Sequence, residues 1–363
     1  MRLSLFTKPI ISTIKLRLTQ FKKHGISFAL SLALVLLMLL NASNVLPLRF
    51  IDRLENFSYD LRLNLLMPRT VDERIVIVDI DEKSLKEQGR WPWGRDKMAT
   101  LVNQLFDHYQ INTLGFDVVF AEKDESSGLK NLEWMQQQYL KDDVNFAEAY
   151  KKIKPRLDYD QIFADSIKNR KVVLGYYFQT SGDTNHVGQL PPEIFSAENF
   201  QHQVIGAMEA SGYGANLAVL QQNSLSAGHF NPDPDVDGIA RKISVLIKYD
   251  DRYYEALSTA VARAYLQSMV MQAKFEEDIL DEGYSELEAF RLAGKRIPVD
   301  AKVAMLVPYR GVQGSFKYVS ASDVLNNKVP LKSLKKQNCV GGDDRARLEG
   351  FTRNACAKQL RWG

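Results

Sequence analysis

The sequence predicts an α/β fold, in which a mixed, mainly parallel sheet covered by helices follows one N-terminal transmembrane helix. Two apolar, β-branched runs at 75–80 and 114–120 flank an amphipathic helical segment. A strand, a crossover helix and a second strand produce a parallel pair, so we expect the two strands to be neighbours in a covered sheet. A charge-free stretch at 25–48 precedes them and predicts the membrane helix.

The first 48 residues divide into a basic segment and an apolar one. Six cations and no acids occur in 1–24, whereas 25–48 carries no charged residue. The apolar core FALSLALVLLMLL, with its neighbours, is long enough for a hydrocarbon layer of about 30 Å. Because basic flanks stay in the cytoplasm, we predict a cytoplasmic N-terminus, an inner-membrane anchor and an exported domain at 49–336. A cleaved signal peptide is the alternative, although no clean A-x-A site follows.

Helices and strands alternate along the exported part. Residues 49–70 have apolar side chains at helical spacing and predict a membrane-proximal helix that Pro68 ends. The other predicted elements are a short helix after 80, a helical insertion at 122–170, a strand at 171–179, a loop-rich stretch at 180–235, a strand at 239–249, a helix at 254–269, a charged amphipathic helix at 276–293 and a strand at 303–307.

Charge and cysteine content restrict the class of protein. Residues 25–336 contain 36 basic and 41 acidic residues, and this acidic balance argues against nucleic acid as a partner. Both cysteines, Cys339 and Cys356, lie in the last 25 residues, so we predict no disulfide in the exported part. The predicted partners are the membrane, an unidentified small ligand and a second copy of the chain in a homodimer.

Several motifs resemble the type 2 CHASE domain, the cyclase/histidine-kinase-associated sensory extracellular family. They are VDIDEKSL, GRWPWGR and GFDVVF in this order, with YDLRL before them and the segments 228–266 and 314–335 after them. The likeness spans roughly residues 50–336. It implies the periplasmic or extracellular sensory domain of a bacterial transmembrane receptor, with output through a nucleotide cyclase, a histidine kinase or a serine/threonine kinase.

The last residues depart from this pattern. Segment 337–363 has no amphipathic period, and the resemblance stops where the family would continue with a buried strand and a Gly-Thr turn. Read one nucleotide later, synonymous codons from Lys336 onward allow Asn-Lys-Ile-Val-Leu-Val-Gly-Thr-Thr. We therefore expect a frameshift near Lys335, an out-of-frame tail at 337–363 and an output module missing from this chain. A divergent but genuine tail is the alternative.

Three acids at strand ends are candidate ligand-binding residues. Asp79 and Asp81 lie at the end of the first apolar run, and Asp117 lies in the second. Ligands in open α/β sheets bind at the carboxyl ends of strands, where paired carboxylates hold a cation or a polar ligand. Asp81 also suits a helix cap, because Ser84 follows three residues later.

The Trp91-Pro92-Trp93 corner, with Arg95 after it, is a second candidate for ligand binding. Exposed indole rings would form the wall of a pocket or an interface. Two indoles and a proline also make a rigid corner that packs on a sheet, and this interpretation is favoured, with Arg95 opening the next helix.

No catalytic or metal-binding set is predicted. The five histidines lack ligand spacing, and the sequence has no G-x-S-x-G, P-loop or G-x-G-x-x-G motif. Asp233, Asp235 and Asp237 copy half of a calcium loop, but the twelfth position is Ser244, which favours a turn. We therefore predict a sensor that is not an enzyme and uses no cofactor. A membrane-anchored metal-dependent hydrolase using the three strand-end acids, and a scaffold without a ligand, are the alternatives.

Overall fold

The computed structural model describes residues 25–342 except 42, 44, 47, 181, 183, 201–204, 236, 269, 276–286, 313 and 336–337. The chain divides into two units, Met1–Met67 and Pro68–Gly363.

In its described residues, the first unit contains two helices, α1 (25–41) and α2 (Arg49–Leu66). Helix α2 confirms the predicted helix and ends just before Pro68, whose ring is incompatible with a helix interior. None of the helices in the described ranges combines the length and the hydropathy needed to cross a membrane. The predicted anchor at 25–48 includes three residues outside those ranges, at 42, 44 and 47.

The second unit alternates strands and helices. Its strands are β1 (Asp72–Asp79), β2 (Thr113–Asp117), β3 (Val172–Gln179), β4 (His186–Val187), β5 (Phe195–Ser196), β6 (Met208–Glu209), β7 (Gly212–Gly214), β8 (Ser226–His229), β9 (Lys242–Ser244), β10 (Leu246–Tyr249), β11 (Arg252–Glu255), β12 (Met271–Phe275), β13 (Leu287–Leu292), β14 (Lys295–Pro298), β15 (Ala304–Leu306), β16 (Phe316–Ser320) and β17 (Asn338–Gly342). Its helices are α3 (Glu82–Gln88), α4 (Arg95–Asn103), α5 (Leu129–Gln138), α6 (Val144–Leu157), α7 (Tyr159–Ile167), α8 (Ala218–Asn223), α9 (Leu257–Leu266) and α10 (Ala321–Leu325), and a π-helical turn at Gln104–His108 extends α4.

The largest sheet has eight strands in the order β16–β1–β17–β2–β3–β7–β4, with β8 also paired to β3. Strands β16, β1, β17, β2, β3 and β8 are parallel, and β7 runs antiparallel to β3. The prediction that β1 and β2 are neighbours is wrong, because β17 lies between them. The crossover through α3 and α4 leaves room for one strand, and a segment from the far end of the sequence fills it.

Alternating residues of the parallel strands build a core on one face of this sheet. Val78, Phe116 and Leu174 contribute side chains that are at most 1% exposed, and Leu101 of α4 and Phe163 of α7 belong to the same cluster. Removing a large apolar side chain from such a site costs several kcal/mol, about 3–5 for Phe→Ala. The apolar runs that predict these strands therefore supply the side chains of this core.

The other face of the sheet packs against α9. Val173 of β3 forms a cluster with Leu257 and Ala260 of that helix. At Gly115, an added Cβ would lie 2.7 Å from Cγ2 of Val261, so this close approach of helix and strand requires glycine. The two faces together confirm a mixed α/β arrangement.

A second core joins the smaller sheets, and it corrects the prediction of a helix at 276–293. Residues 287–292 form β13, whose buried side chains include Leu287, Phe290 and Leu292, and β13 pairs with both β12 and β14. Two ladders satisfy its backbone groups, which outweighs the helical spacing of its charges. The rest of the predicted helix, 276–286, lies outside the described residues.

Three other predicted elements are shorter or differently placed. The strand predicted at 239–249 is interrupted and forms β9 and β10, and the helix predicted at 254–269 begins at Leu257, after strand β11. Within the predicted insertion at 122–170, α5 and α6 bury no residue, whereas α7 buries Phe163 and Ile167 against the sheet. Helix α7 is therefore the crossover helix from β2 to β3.

The sheet also extends the folded domain beyond its predicted end at 336. Strand β17 begins at Asn338, and the side chain of Cys339 is fully buried between the register partners Val76 and Leu114. Burial raises the pKa of the Cys339 thiol to about 12. Residues 338–342 of the predicted tail at 337–363 thus belong to the central sheet, and the other residues of that tail lie outside the described residues.

Candidate functional site

Two of the predicted acids lie at the same register position at the carboxyl edge of the parallel sheet. Asp79 and Asp117 are both register partners of Gly342 at the end of β17, and Asp79 is also paired with Ser320 of β16. Asp79 is buried and Asp117 is half-buried. With strands about 4.8 Å apart, one intervening strand separates the two Cα atoms by roughly 10 Å. Across the described ranges, no three His, Cys, Asp or Glu side chains form a group that could hold a metal ion.

Asp81 is the N-cap of α3, as the capping interpretation predicts. Its Oδ1 accepts hydrogen bonds from the backbone N–H of Ser84 and the hydroxyl of Ser320, each at 2.8 Å. Burial opposes ionisation, but the bonds from Ser84 and Ser320 outweigh it and lower the pKa of this carboxyl. Asp81 therefore stabilises the start of α3 and links it to the end of β16.

Sequence reasoning missed the serine network around this cap. The hydroxyls of Ser84 and Ser320 are 2.9 Å apart, and the backbone N–H of Ser322 donates to Oγ of Ser84 at 3.0 Å. Ser322 also donates to the Glu87 carboxylate. These bonds join α3 to α10 across the ends of β1 and β16, two elements that are distant in sequence.

We expect Asp81→Ala to lower the free energy of unfolding by about 1 kcal/mol, because the first turn of α3 loses its cap. Urea denaturation measures this loss. Asp81→Asn keeps a cap acceptor and should cost only a few tenths of a kcal/mol, and Lys86→Ala on the exposed face of α3 is the matched control. Equal losses for the alanine and asparagine variants would contradict the capping assignment.

The tryptophan corner packs on the sheet, as the favoured interpretation predicts. Trp93 is 3% exposed and donates its indole N–H to the Gly89 carbonyl at 2.9 Å. Trp91 is half-buried, and its ring lies edge-on to Trp93 with 6.0 Å between centroids. The peptide bond between Trp91 and Pro92 is cis. The corner supplies core packing at the start of α4.

Arg95, which is buried, lies at the centre of a polar cluster, which we call the Arg95 cluster and define as Arg95, Phe120, Glu122, Asp124 and Asp160. The guanidinium lies 4.6 Å above the Phe120 ring, Nη2 contacts the Glu122 carbonyl at 3.4 Å and Nε is 3.8 Å from Oδ1 of Asp160. The backbone N–H of Arg95 donates to Asp124, whose own N–H donates to Asp160 at 3.0 Å. The cluster joins α4, α7 and the loop after β2.

The Arg95 cluster keeps unused hydrogen-bonding capacity. Among the residues that the structure describes, buried Nε of Arg95 and buried Oδ1 of Asp160 have no hydrogen-bond partner. Burial lowers the pKa of the Arg95 guanidinium and raises the pKa of Asp160, against the attraction between them. Nε of Arg95 and Oδ1 of Asp160 are 3.8 Å apart, so a small group that lies beside the pair, accepts from Nε and donates to Oδ1 would satisfy both atoms.

The acids of the calcium-like loop serve an ion-pair cluster instead. Arg241, which is 3% exposed, donates to Oδ2 of Asp235 at 2.8 Å and to Oδ2 of Asp237 at 2.9 Å. The backbone N–H of Ile239 donates to Asp237, and the backbone of Asp233 forms an antiparallel bridge with Lys242. This geometry supports the turn predicted for the segment.

The structure therefore separates the six predicted residues into three groups. Asp79 and Asp117 lie at one edge of the sheet, whereas Asp81, Trp91 and Trp93 stabilise local structure, and Arg95 organises a cluster of its own. The partners of Arg95 lie 29 and 65 positions later in the sequence, at Asp124 and Asp160. The sequence signal for Asp160 is only that of an acid in the first turn of a helix.

Comparison with known proteins gives one match. The family described as the CHASE2 domain matches residues 30–349. Neither a curated protein nor a solved structure matches the chain. The family match covers most of the chain and includes the parallel sheet, the tryptophan corner and the Arg95 cluster. This chain belongs to the CHASE2 domain family, whose members are sensory extracellular domains of signalling receptors.

Proposed function

We propose that this chain is the ligand- or stress-sensing part of a bacterial transmembrane receptor, with its main domain outside the cytoplasm and its output module outside this chain. The observation that carries the proposal is the CHASE2 match over residues 30–349, which begins within the charge-free stretch 25–48. The basic residues before that stretch favour a cytoplasmic N-terminus.

The exposed surface of α1 supports a membrane position for that segment. Four apolar side chains of α1 are at least 60% exposed: Ile26, Phe28, Leu30 and Leu39. Within the apolar run 28–40, Ser31 is the only polar residue, so the helix has no polar face there. In water, such a surface on a helix is costly, at about 25 cal/mol per Å² of apolar area. Lipid removes that cost.

We place the ligand of this sensor in the Arg95 cluster. A ligand shifts a conformational equilibrium only through different affinities for the two states. The cluster joins α4, α7 and the loop after β2, so a small group that hydrogen-bonds to both Arg95 and Asp160 would bias how these elements pack. This change in packing would be transmitted out of the domain by a shift of the membrane anchor or by a shift of the interface in a homodimer.

Reporter fusions test the proposed topology. We expect alkaline phosphatase fused after Lys171 to be active, because the enzyme requires export to form its disulfides. A fusion after Lys23, before the apolar stretch, should be inactive. A cytoplasmic reporter at the same two positions should give the opposite pattern. An inactive phosphatase after Lys171, with an active cytoplasmic reporter there, would contradict an extracytoplasmic sensor.

A further inference from the structure

His229 is a buried titratable residue that the sensor mechanism above does not use. It ends strand β8, is 0% exposed and lies in the core of the second unit. Both of its ring nitrogens lack a hydrogen-bond partner in the described part of the chain. A neutral imidazole has one donor and one acceptor, so a ring without partners is a costly group to bury.

A second unpartnered group lies beside this ring. Tyr176 of β3 is the parallel register partner of His229, so the two side chains project from the same face of the sheet. The Tyr176 hydroxyl is also buried without a partner among the described residues. Phe178 lies next to both, with ring centroids 5.4 Å from Tyr176 and 6.1 Å from His229.

His229 also marks a junction between parts of the domain. Its backbone forms a bridge with Ala256, the residue between β11 and α9. We call the contact of β8 with β3, β11 and α9 the His229 junction. Strand β11 belongs to the four-stranded sheet, whereas β3 and β8 belong to the main sheet, so opening this junction would loosen a contact between the two sheets.

The charged and titratable groups around the junction do not compensate a positive charge on His229. They are Tyr176 from β3, Tyr254 and Glu255 from β11, and Arg263 from α9. Glu255 is already paired with Arg263, whose Nη2 lies 2.7 Å from Oε1. Burial lowers the pKa of His229 to about 3, and no nearby carboxylate offsets it.

We propose that His229 is a proton-binding site of this sensory domain, and that mild acid opens the His229 junction by charging this residue. The proposal rests on the proposed sensory function and assigns the proton as one of its ligands. A proton can bind with its ordinary affinity only after the ring reaches water, so acid stabilises the open arrangement.

The sign and size of the effect follow from linkage. The closed state keeps His229 neutral. Its stability relative to the open state therefore has its full value above the ordinary pKa of about 6.5 and decreases as the pH falls from there toward about 3. Between pH 7.5 and pH 5.0, an open state with the ordinary pKa gains about 30-fold in population relative to the closed state.

Hydrogen exchange on the full chain in lipid nanodiscs tests the proposal. After correction for intrinsic exchange rates, we expect the opening constant of β8 and β11 amides to rise about 30-fold from pH 7.5 to pH 5.0. His229→Gln should abolish this rise, whereas His108→Gln, at an exposed histidine, should retain it. If His229→Gln does not fold, His229→Phe keeps an aromatic ring of similar shape without a titratable group.

Two results would overturn the proton site: a wild-type opening constant that does not change with pH, or a rise that survives in the His229 variants. The exchange measurement requires no signalling output and no particular topology. A reversed reporter pattern would therefore remove the sensory proposal without altering the exchange result, and a flat exchange profile would remove the proton site alone.

Discussion

Replacing Asn338, Cys339, Val340 and Gly341 with Ile, Val, Leu and Val should raise the melting temperature of this chain by several degrees. Strand β17 pairs with β1 and β2 along its whole length, so it occupies the centre of a parallel sheet. Central parallel strands are covered on both faces and are normally rich in β-branched residues. The chain instead places asparagine and glycine there.

The expected gain comes from two added aliphatic side chains and from the loss of a flexible glycine. Each buried aliphatic side chain contributes roughly 1.5–3 kcal/mol, and glycine in a strand costs about 0.5–1 kcal/mol relative to alanine. Since a whole domain is stable by only about 5–15 kcal/mol, even the low end of these contributions, about 3.5 kcal/mol, would be a large gain. The change at the buried Cys339 adds little to this gain, because replacing its thiol with the valine side chain nearly conserves volume.

Thermal unfolding followed by circular dichroism measures this effect. Lys295→Ile, at an exposed position of strand β14, adds an aliphatic residue without burial and is the matched control. A melting temperature that stays constant or falls would show that the space around β17 does not accept larger side chains.

The predicted frameshift would change the residues of this same strand. In the shifted frame, Ile-Val-Leu-Val-Gly would occupy positions 338–342, which are the residues of β17. The frameshift itself stays a prediction, and the nucleotide sequence around codon 335 decides it. A confirmed present frame would leave the stability experiment valid and would make β17 a divergent strand.

Arg95→Met should lower the free energy of unfolding by about 3 kcal/mol, because it leaves the Asp160 carboxylate buried without its cation. The side chains of Arg95 and Asp160 are only 11% and 13% exposed, so water screens their charges weakly. Their closest approach, 3.8 Å, is longer than a hydrogen bond, which places the expected cost at the lower end of about 3–5 kcal/mol for a broken buried pair.

Urea unfolding of four variants separates this effect from simple loss of packing. The variants are Arg95→Met, Asp160→Leu, their combination and the control Arg156→Met. The combination should regain the part of the loss that comes from the buried unpaired charge, because it removes both charges of the Arg95–Asp160 pair. The part that comes from the backbone N–H of Asp124, which loses its acceptor on Asp160, should remain. Arg156→Met, on the exposed surface of α6, should change the free energy by less than about 0.5 kcal/mol. Additive losses for the two substitutions in the double variant would contradict a coupled buried pair.

The sequence by itself determined the elements whose signal is local. The β-branched runs predicted β1, β2 and β3, Pro68 predicted the end of α2, and the spacing of Asp81 and Ser84 predicted a helix cap. The ordered motifs also indicated the CHASE2 family, which the family match confirms. For the strands, the helix end and the cap, the side chains that carry the signal lie within one or two turns of the backbone that they shape.

Only the tertiary structure decided which of these elements meet. It placed β17 between β1 and β2, turned 287–292 into a strand, brought Asp160 to Arg95 and left His229 beside Tyr176 without a partner among the described residues. Contacts between residues far apart in the chain depend on how buried surfaces fit together, and a single sequence carries no periodic signal for them. The energies of ladder pairing and of buried charges arise only once the sheet is assembled. For this reason the strand order, the Arg95 cluster and the surroundings of His229 could not be predicted from the sequence.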